Sequence, residues 1–298
     1  LRGVSWPAAV PFFAVTSGTT TGRTKYIPCT NEMVASNTMA GLDLICHHLN
    51  NRPKSRVLGG KSFMLGGSTD LIAEARNISS GDLSGIMSAN VPWWFRKRSF
   101  PPDDLARIPD WEEKVDKLVA AIADQDIRLI GGTPSWLLLF FDQLAAAHGD
   151  ARPDLAKYFP NLELLIHGGV DFSPYRHRFE GLLSDTSAEL REVYPASEGF
   201  IAVADAGPED GLRLMLDTGM FMEFVPVDEL DSRQPTRHWA GTAQLGINYA
   251  IVLTTCAGLW SYVVGDTVEF VSLRPLRVRI TGRTSYTLSA FGEHLLAS

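Results

Sequence analysis

The rhythm of apolar and polar positions changes near residue 211, and the change predicts two kinds of architecture. Before that point, short apolar runs alternate with amphipathic stretches. "AVPFFAV" (9–15) reads as a buried strand. Apolar Met33, Val34, Leu42, Leu44 and Ile45 predict a helix over 31–48, with Thr30 or Asn31 as its N-cap. Glycine pairs at 59–60 and 66–67 around "KSFML" predict a strand or hairpin closed by turns. Residues 90–112, rich in proline and tryptophan, read as an irregular connection, and a helix is predicted over 112–124. "IRLIGGTPSWLLLFFDQLAAA" then reads as a strand, a Gly-Gly-Thr-Pro turn and an apolar helix. "LELLIHGGVDFSPYRHRFEGLL" repeats that plan, with a strand at 162–167 and a helix ending at Leu183. "ELREVYPASEGFIAV" (189–203) supplies a further strand and turn. Such alternation implies an α/β fold with a largely parallel sheet, whose ligand edge lies at the strand C-termini.

After Gly211 the texture becomes strand-like with little helix between runs: "LRLMLDTGMFMEFVPV", "GINYAIVLTT", "WSYVVGDTVEFVSL" and "LRVRITGR". The expected division is therefore an α/β part over 1–210 and a β-rich part, a distorted barrel or sandwich, over 211–283. Residues 284–298 then form a hinge segment.

Composition narrows the function classes. Of 298 residues, 45% are apolar and 20% charged, an ordinary balance for a folded chain with a sizeable core. A formal charge of −7 argues against a nucleic-acid partner held by bulk electrostatics, and the Arg96-Lys97-Arg98 trio reads as a solvated loop. No apolar run approaches the ~20 residues of a membrane helix, so no membrane partner is expected. Cys29, Cys46 and Cys256 lie far apart without a C-x-x-C pair, which suggests a reducing, cytoplasmic setting and no structural zinc. The His47-His48 pair reads as a helix surface. His167 reads either as a buried histidine or as lining a ligand site.

The segment "TSGTTTGRTK" (16–25) gathers small hydroxyl side chains, Gly18 and Gly22 behind an apolar run. Small residues let a backbone approach an anion and present N–H and O–H donors to it, so the segment reads as a phosphate loop or as a polar surface turn. A following helix N-terminus would add a favourable dipole. The spacing excludes a Walker A motif, which needs four residues between its glycines and a lysine after the second. No G-x-S-x-G elbow and no Ser-His-Asp pattern supports hydrolase chemistry.

The loop also resembles the phosphate-binding motif of the adenylate-forming superfamily of acyl-CoA synthetases, peptide-synthetase adenylation domains and luciferases. "YPASEG" (194–199), "WSYVVGD" (260–266) and "GRTSYTLSAFGEHL" (282–295) follow in that superfamily's order. The wording of "TSGTTTGRTKYIP", "YPASEGF", "FMEFVPVDEL" and "AIVLTTCAGLWSYVVGDTVEF" is similar to one branch, the auxin-responsive Gretchen Hagen 3 family of acyl acid–amido synthetases in its bacterial form. The resemblance spans residues 11–295.

It implies the N-terminal domain of an adenylate-forming enzyme and an ATP- and Mg²⁺-dependent reaction. A carboxylate attacks the α-phosphate of ATP, and an amine, such as that of an amino acid, then takes the acyl group from the acyl-adenylate. Transfer to a thiol such as coenzyme A and a non-catalytic adenylate-binding module are the alternatives. Ser17, Gly18, Thr19, Thr20, Thr21 and Gly22 would cradle phosphates. Thr20, Lys25 and Glu198 are the catalytic candidates, with Glu198 also the metal ligand and Ser197 beside the α-phosphate. Tyr194 and the Gly168-Gly169 backbone would flank adenine, Asp266 would accept from the ribose hydroxyls, and Arg283 would reach ribose or phosphate. Plain structural readings compete: a helix-start lysine, a capping or surface glutamate, a core tyrosine, a turn aspartate and an exposed arginine. Trp93, Trp94, Phe95, Trp136, Met220 and Phe221 are candidates for the acyl pocket. Two departures stand out. His294 occupies a position where the family has lysine, and the chain ends at Ser298 where the family continues into a C-terminal lid.

Overall fold

The computed structural model describes residues 3–7, 9–16, 24–66, 70–108, 110–284, 287–290 and 293–296. Along the chain come β1 (Phe12–Thr16), β2 (Lys25–Cys29) and helix α1 (Asn31–Asn51). Next are β3 (Lys61–Leu65), β4 (Ile72–Ala75) and β5 (Ile78–Gly81), then the short helices α2 (Leu83–Ala89) and α3 (Trp93–Arg96). β6 (Ser99–Phe100), α4 (Asp103–Ala106) and α5 (Trp111–Ile122) lead to β7 (Ile127–Gly132) and α6 (Pro134–His148). α7 (Leu155–Tyr158), β8 (Leu164–Gly168) and α8 (Arg176–Leu183) precede the hairpin β9 (Glu189–Ala196) and β10 (Gly199–Val203). The remainder is almost all strand: β11 (Leu212–Leu214), β12 (Met220–Pro226), β13 (His238–Trp239), β14 (Asn248–Thr255), β15 (Tyr262–Leu273) and β16 (Leu276–Arg283). A last antiparallel pair is β17 (Thr287–Ala290) with β18 (Glu293–Leu296).

Two compact units cut across the linear order of the chain. One holds His48–Leu71 and Gly81–Glu192, the other Leu1–His47, Ile72–Ser80 and Val193–Ser298. The unit over 48–192 is the α/β part, in which β3 pairs in parallel with both β6 and β7, and β7 with β8. α6 shows why the sequence folds this way locally. Pro134 opens it, where a missing N–H is harmless, and Gly149 closes it at φ +72, a left-handed position that suits glycine. α5 is capped by Asp110, whose carboxylate accepts the Glu113 N–H at 2.8 Å. Val115, Leu118 and Ile122 from α5 and Leu137, Phe140, Phe141 and Leu144 from α6 fall at helical spacing and bury with Phe63, Ile130 and Leu165 of the strands. Each such side chain contributes about 1.5–3 kcal/mol of burial. Residues 90–112, expected to be irregular, contain the short α3, β6 and α4.

In the other unit the strands run antiparallel: β12 pairs with β13 and β14, β14 with β15, β15 with β16, β16 with β11 and β11 with β10. Its core centres on Phe224, Tyr249 and Phe270, whose rings meet edge to face at 4.8–6.1 Å. The expected barrel or sandwich takes the form of an open antiparallel run, with β13 at its edge among the described residues. Thr30 caps α1: its hydroxyl accepts the Met33 N–H at 3.2 Å and donates to the Cys256 carbonyl at 2.9 Å.

Candidate functional site

Four of the sequence-derived candidates come together in the antiparallel unit. Asp266 of β15 and Arg283 of β16 are register partners, so the pleat presents both side chains on one face. The Arg283 Nε lies 2.8 Å from Asp266 Oδ1, and the Tyr194 hydroxyl of β9 donates to Asp266 Oδ2 at 2.6 Å. Asp266 is 18% exposed and Arg283 23%, whereas Tyr194 is 5% exposed. Gly265 (φ +100) precedes the aspartate, and its carbonyl accepts the Thr284 N–H at 2.8 Å, which fixes the backbone on both sides of the pair. Asp266 and Tyr194 are therefore neither a loose turn aspartate nor an isolated core aromatic.

Glu198 follows from the local fold of "YPASEG". β9 and β10 close at Ala196–Gly199, leaving Ser197 and Glu198 as a two-residue turn. Gly199 sits at φ +152, a backbone conformation that suits glycine, and a Cβ there would come 2.2 Å from Sδ of the flexible Met220 side chain. Glu198 is only 8% exposed, which corrects the reading of a cap or surface residue. Burial pushes its carboxyl above the usual range. Its own backbone N–H opposes this, the Asp266 charge adds to it, and the Lys25 and Arg283 cations oppose it. The Tyr194 hydroxyl is also held well above its ordinary value, first by burial and then by the neighbouring Asp266 charge. The phenol therefore remains a donor.

Lys25 opens β2, register-paired with Thr16 of β1, so it is a strand residue and not a helix start. The segment between them joins two antiparallel strands, and a strand rather than a helix follows it. The Lys25 ammonium lies 5.8 Å from the Tyr262 ring centroid. Ser17, Gly18, Thr19, Thr20, Thr21 and Gly22 lie outside the described residues, as does any contact they make. Gly168 ends β8, and Gly169 follows at φ +85 with open space where a side chain would stand. Both belong to the α/β unit. His167 before them is buried against Phe172, ring centroids 3.7 Å apart, and burial lowers its pKa to about 3. Of the acyl-pocket candidates, Trp93 is 82% exposed, Trp136 packs on Trp111 at 4.0 Å, and Met220 is buried. Among the described residues no group of three His, Cys, Asp or Glu side chains is placed to hold a metal by itself.

One cluster was not legible. His48, expected on a helix surface, has a fully buried side chain in the α/β unit, with Nδ1 2.7 Å from Glu189 Oε2 and Nε2 2.9 Å from Ser55 Oγ. This Ser–His–Glu chain is not a nucleophile relay, because the Ser55 hydroxyl donates to Glu163, whose carboxylate also accepts the Arg56 N–H at 2.9 Å. Its members lie at 48, 55, 163 and 189, a spacing no motif announces.

The geometry can be set beside known proteins. The fold is that of the N-terminal domain of adenylate-forming enzymes. A GH3.15 acyl acid amido synthetase superposes with TM-score 0.70 at 16% identity, covering 96% of this chain and 58% of that one. A 2-hydroxyisobutyryl-CoA ligase in complex with 2-HIB-AMP and CoA gives 0.58 at 15%, covering 95% and 54%. The amide bond synthetase of Marinactinospora thermotolerans gives 0.51 at 15%, covering 95% and 51%. The chain thus spans little more than half the length of these structures. The profile of the GH3 family N-terminal domain matches residues 3–148, and that of the GH3 family central domain matches residues 213–283. The chain belongs to the GH3 family. A curated HTH-type transcriptional regulator, ArgP of Pseudomonas fluorescens, is 31% identical over 96 residues, 30% of this chain and 31% of that protein.

Proposed function

We propose that this chain activates a small carboxylic acid with ATP and passes the acyl group to an amine. A carboxylate oxygen bonds to the α-phosphorus as the bond to pyrophosphate breaks. The amine nitrogen then bonds to the acyl carbon, AMP departs with the former carboxylate oxygen, and the amine proton goes to solvent. Family membership supports the reading, and one observation carries it: a carboxylate, Asp266, gripped by Tyr194 and Arg283 beside the buried Glu198. An ionised carboxylate has about four lone-pair sites, so the two donors on Asp266 leave capacity for the two hydroxyls of a ribose. Lys25 and Arg283 offset triphosphate charge, and Ser17–Gly22 keep the phosphate-cradling role that their chemistry suggests. Ser197 sits beside Glu198 for the α-phosphate.

The donor set also fits Mg²⁺. Burial and the Asp266 charge both disfavour an ionised Glu198, and a divalent cation relieves both. When bound, the ion supplies neutralisation of phosphate charge, and Glu198 would hold it. Residues 1–210 and 211–283 are the nucleotide-facing and β-rich parts in this reading. The three free cysteines suit a cytoplasmic setting. Among the described residues no helix is long and apolar enough to cross a membrane.

ATP–pyrophosphate exchange with a panel of carboxylic acids tests the proposal. Acid-dependent exchange supports it, and absence of exchange with every acid, despite nucleotide binding, leaves only an adenylate-binding module. Product formation with amino acids, and not with coenzyme A, then settles the acceptor.

A further inference from the structure

The resemblance assigns Tyr194 the part of an aromatic wall beside adenine. The structure gives that ring little free face: it is 5% exposed, and the polar end is what reaches the site. Its hydroxyl makes the 2.6 Å bond to Asp266 Oδ2 while Arg283 occupies Oδ1 at 2.8 Å. The two donors approach from different strands, β9 and β16, so neither alone fixes the carboxylate plane. Arg283 is held by its register opposite Asp266, and Tyr194 by burial of its ring within β9.

A carboxylate that must accept two hydroxyls of one sugar needs a defined plane, because both acceptor directions have to be right at once. A partly exposed aspartate with one partner can rotate about its χ angles, whereas one held at both oxygens cannot.

We propose that Tyr194 is a positioning residue acting through Asp266: its phenolic O–H and the Arg283 guanidinium together orient the carboxylate toward the ribose diol. The proposal rests on the nucleotide reading above. The phenol stays protonated far beyond neutral pH, so the clamp does not release under ordinary conditions.

Tyr194→Phe keeps the ring and its packing and removes only the oxygen. Calorimetric binding of ATP and of 2′,3′-dideoxy-ATP to wild type and to this variant is the test. ATP affinity falls about tenfold in the variant, in line with a hydrogen bond to a charged group. Dideoxy-ATP affinity changes by less than about twofold, so discrimination for the diol collapses. In an Asp266→Asn background the tyrosine substitution produces no further loss of ATP affinity. A Tyr194→Phe variant that keeps full discrimination, or that loses both nucleotides equally, overturns the positioning role. Should that variant not fold, Asp266→Asn and Arg283→Gln still decide, because both must erase discrimination if the clamp sets it. A wild-type chain that binds neither nucleotide overturns the nucleotide reading itself, and the positioning role with it.

Discussion

Two ionic clusters, one in each compact unit, use similar residues to opposite ends. In the α/β unit, Glu189 receives His48 at 2.7 Å and Arg191 at 2.9 Å on Oε2 and Arg52 at 2.9 Å on Oε1, so three side chains engage its two oxygens. In the antiparallel unit, Asp266 receives two donors and stays partly open beside the buried Glu198. The consequence appears in their protons. Burial raises Glu189, but hydrogen bonds from Arg191 and His48 and the Arg191 charge outweigh it and hold the carboxyl below the usual range. For Glu198 burial wins. A saturated cluster stabilises a fold, and an unsaturated one is kept for something that binds.

The largest effect should come from breaking the saturated cluster. Glu189→Ala removes the buried carboxylate that accepts from the fully buried His48 and pairs with the nearly buried Arg191, which should cost about 3–5 kcal/mol in urea unfolding. Nucleotide affinity of the protein that remains folded should not change. A loss below 1 kcal/mol would mean that the cluster is not structural, and the contrast would fail. Asp266→Ala should do the reverse. ATP affinity should drop at least about tenfold, while the orphaned Tyr194 hydroxyl costs only about 1–3 kcal/mol of stability. Equal affinity in wild type and variant would remove Asp266 from the site.

Between these lies the turn that carries Glu198. Gly199→Ala forces a side chain into φ +152 and against Met220, at a cost of about 1–3 kcal/mol. Met220 is flexible and can yield, so the backbone term dominates. A Gly199→Ala variant that melts like wild type would show that the turn relaxes freely.

What could be read in advance follows the range of the interactions. The helices α5 and α6 and the strands β7 and β8 were legible because spacing, caps and turn glycines are local signals. The pairing of Asp266 with Arg283 was half legible: both lie in motifs 17 residues apart in sequence, but their register is set by two bulges between β15 and β16. The donation from Tyr194, 72 residues before Asp266, was not legible, and the tyrosine's ring invited a stacking role instead. The His48 network was missed altogether, because adjacent histidines look like a polar face until Glu189 arrives 141 residues later.

The smallest effect is also the sharpest in sign. Glu198 has a folded pKa above its unfolded one, so its contribution to stability is full below the ordinary glutamate value and is lost as pH rises through the raised value. Glu189 is the mirror case: its contribution is full above the ordinary value and is lost as pH falls through the lowered one. Glutamine imitates the protonated acid. Without ligand at neutral pH, Glu198→Gln should therefore melt slightly higher than wild type, on the order of 1 °C, and the gap should close in acid. Glu189→Gln should melt lower at neutral pH, and that gap too should close in acid. Metal-dependent pyrophosphate exchange should fall in Glu198→Gln despite its extra stability. Melting curves of the two variants that shift in the same direction with pH would show that both carboxylates are structural, and the distinction between the clusters would be lost.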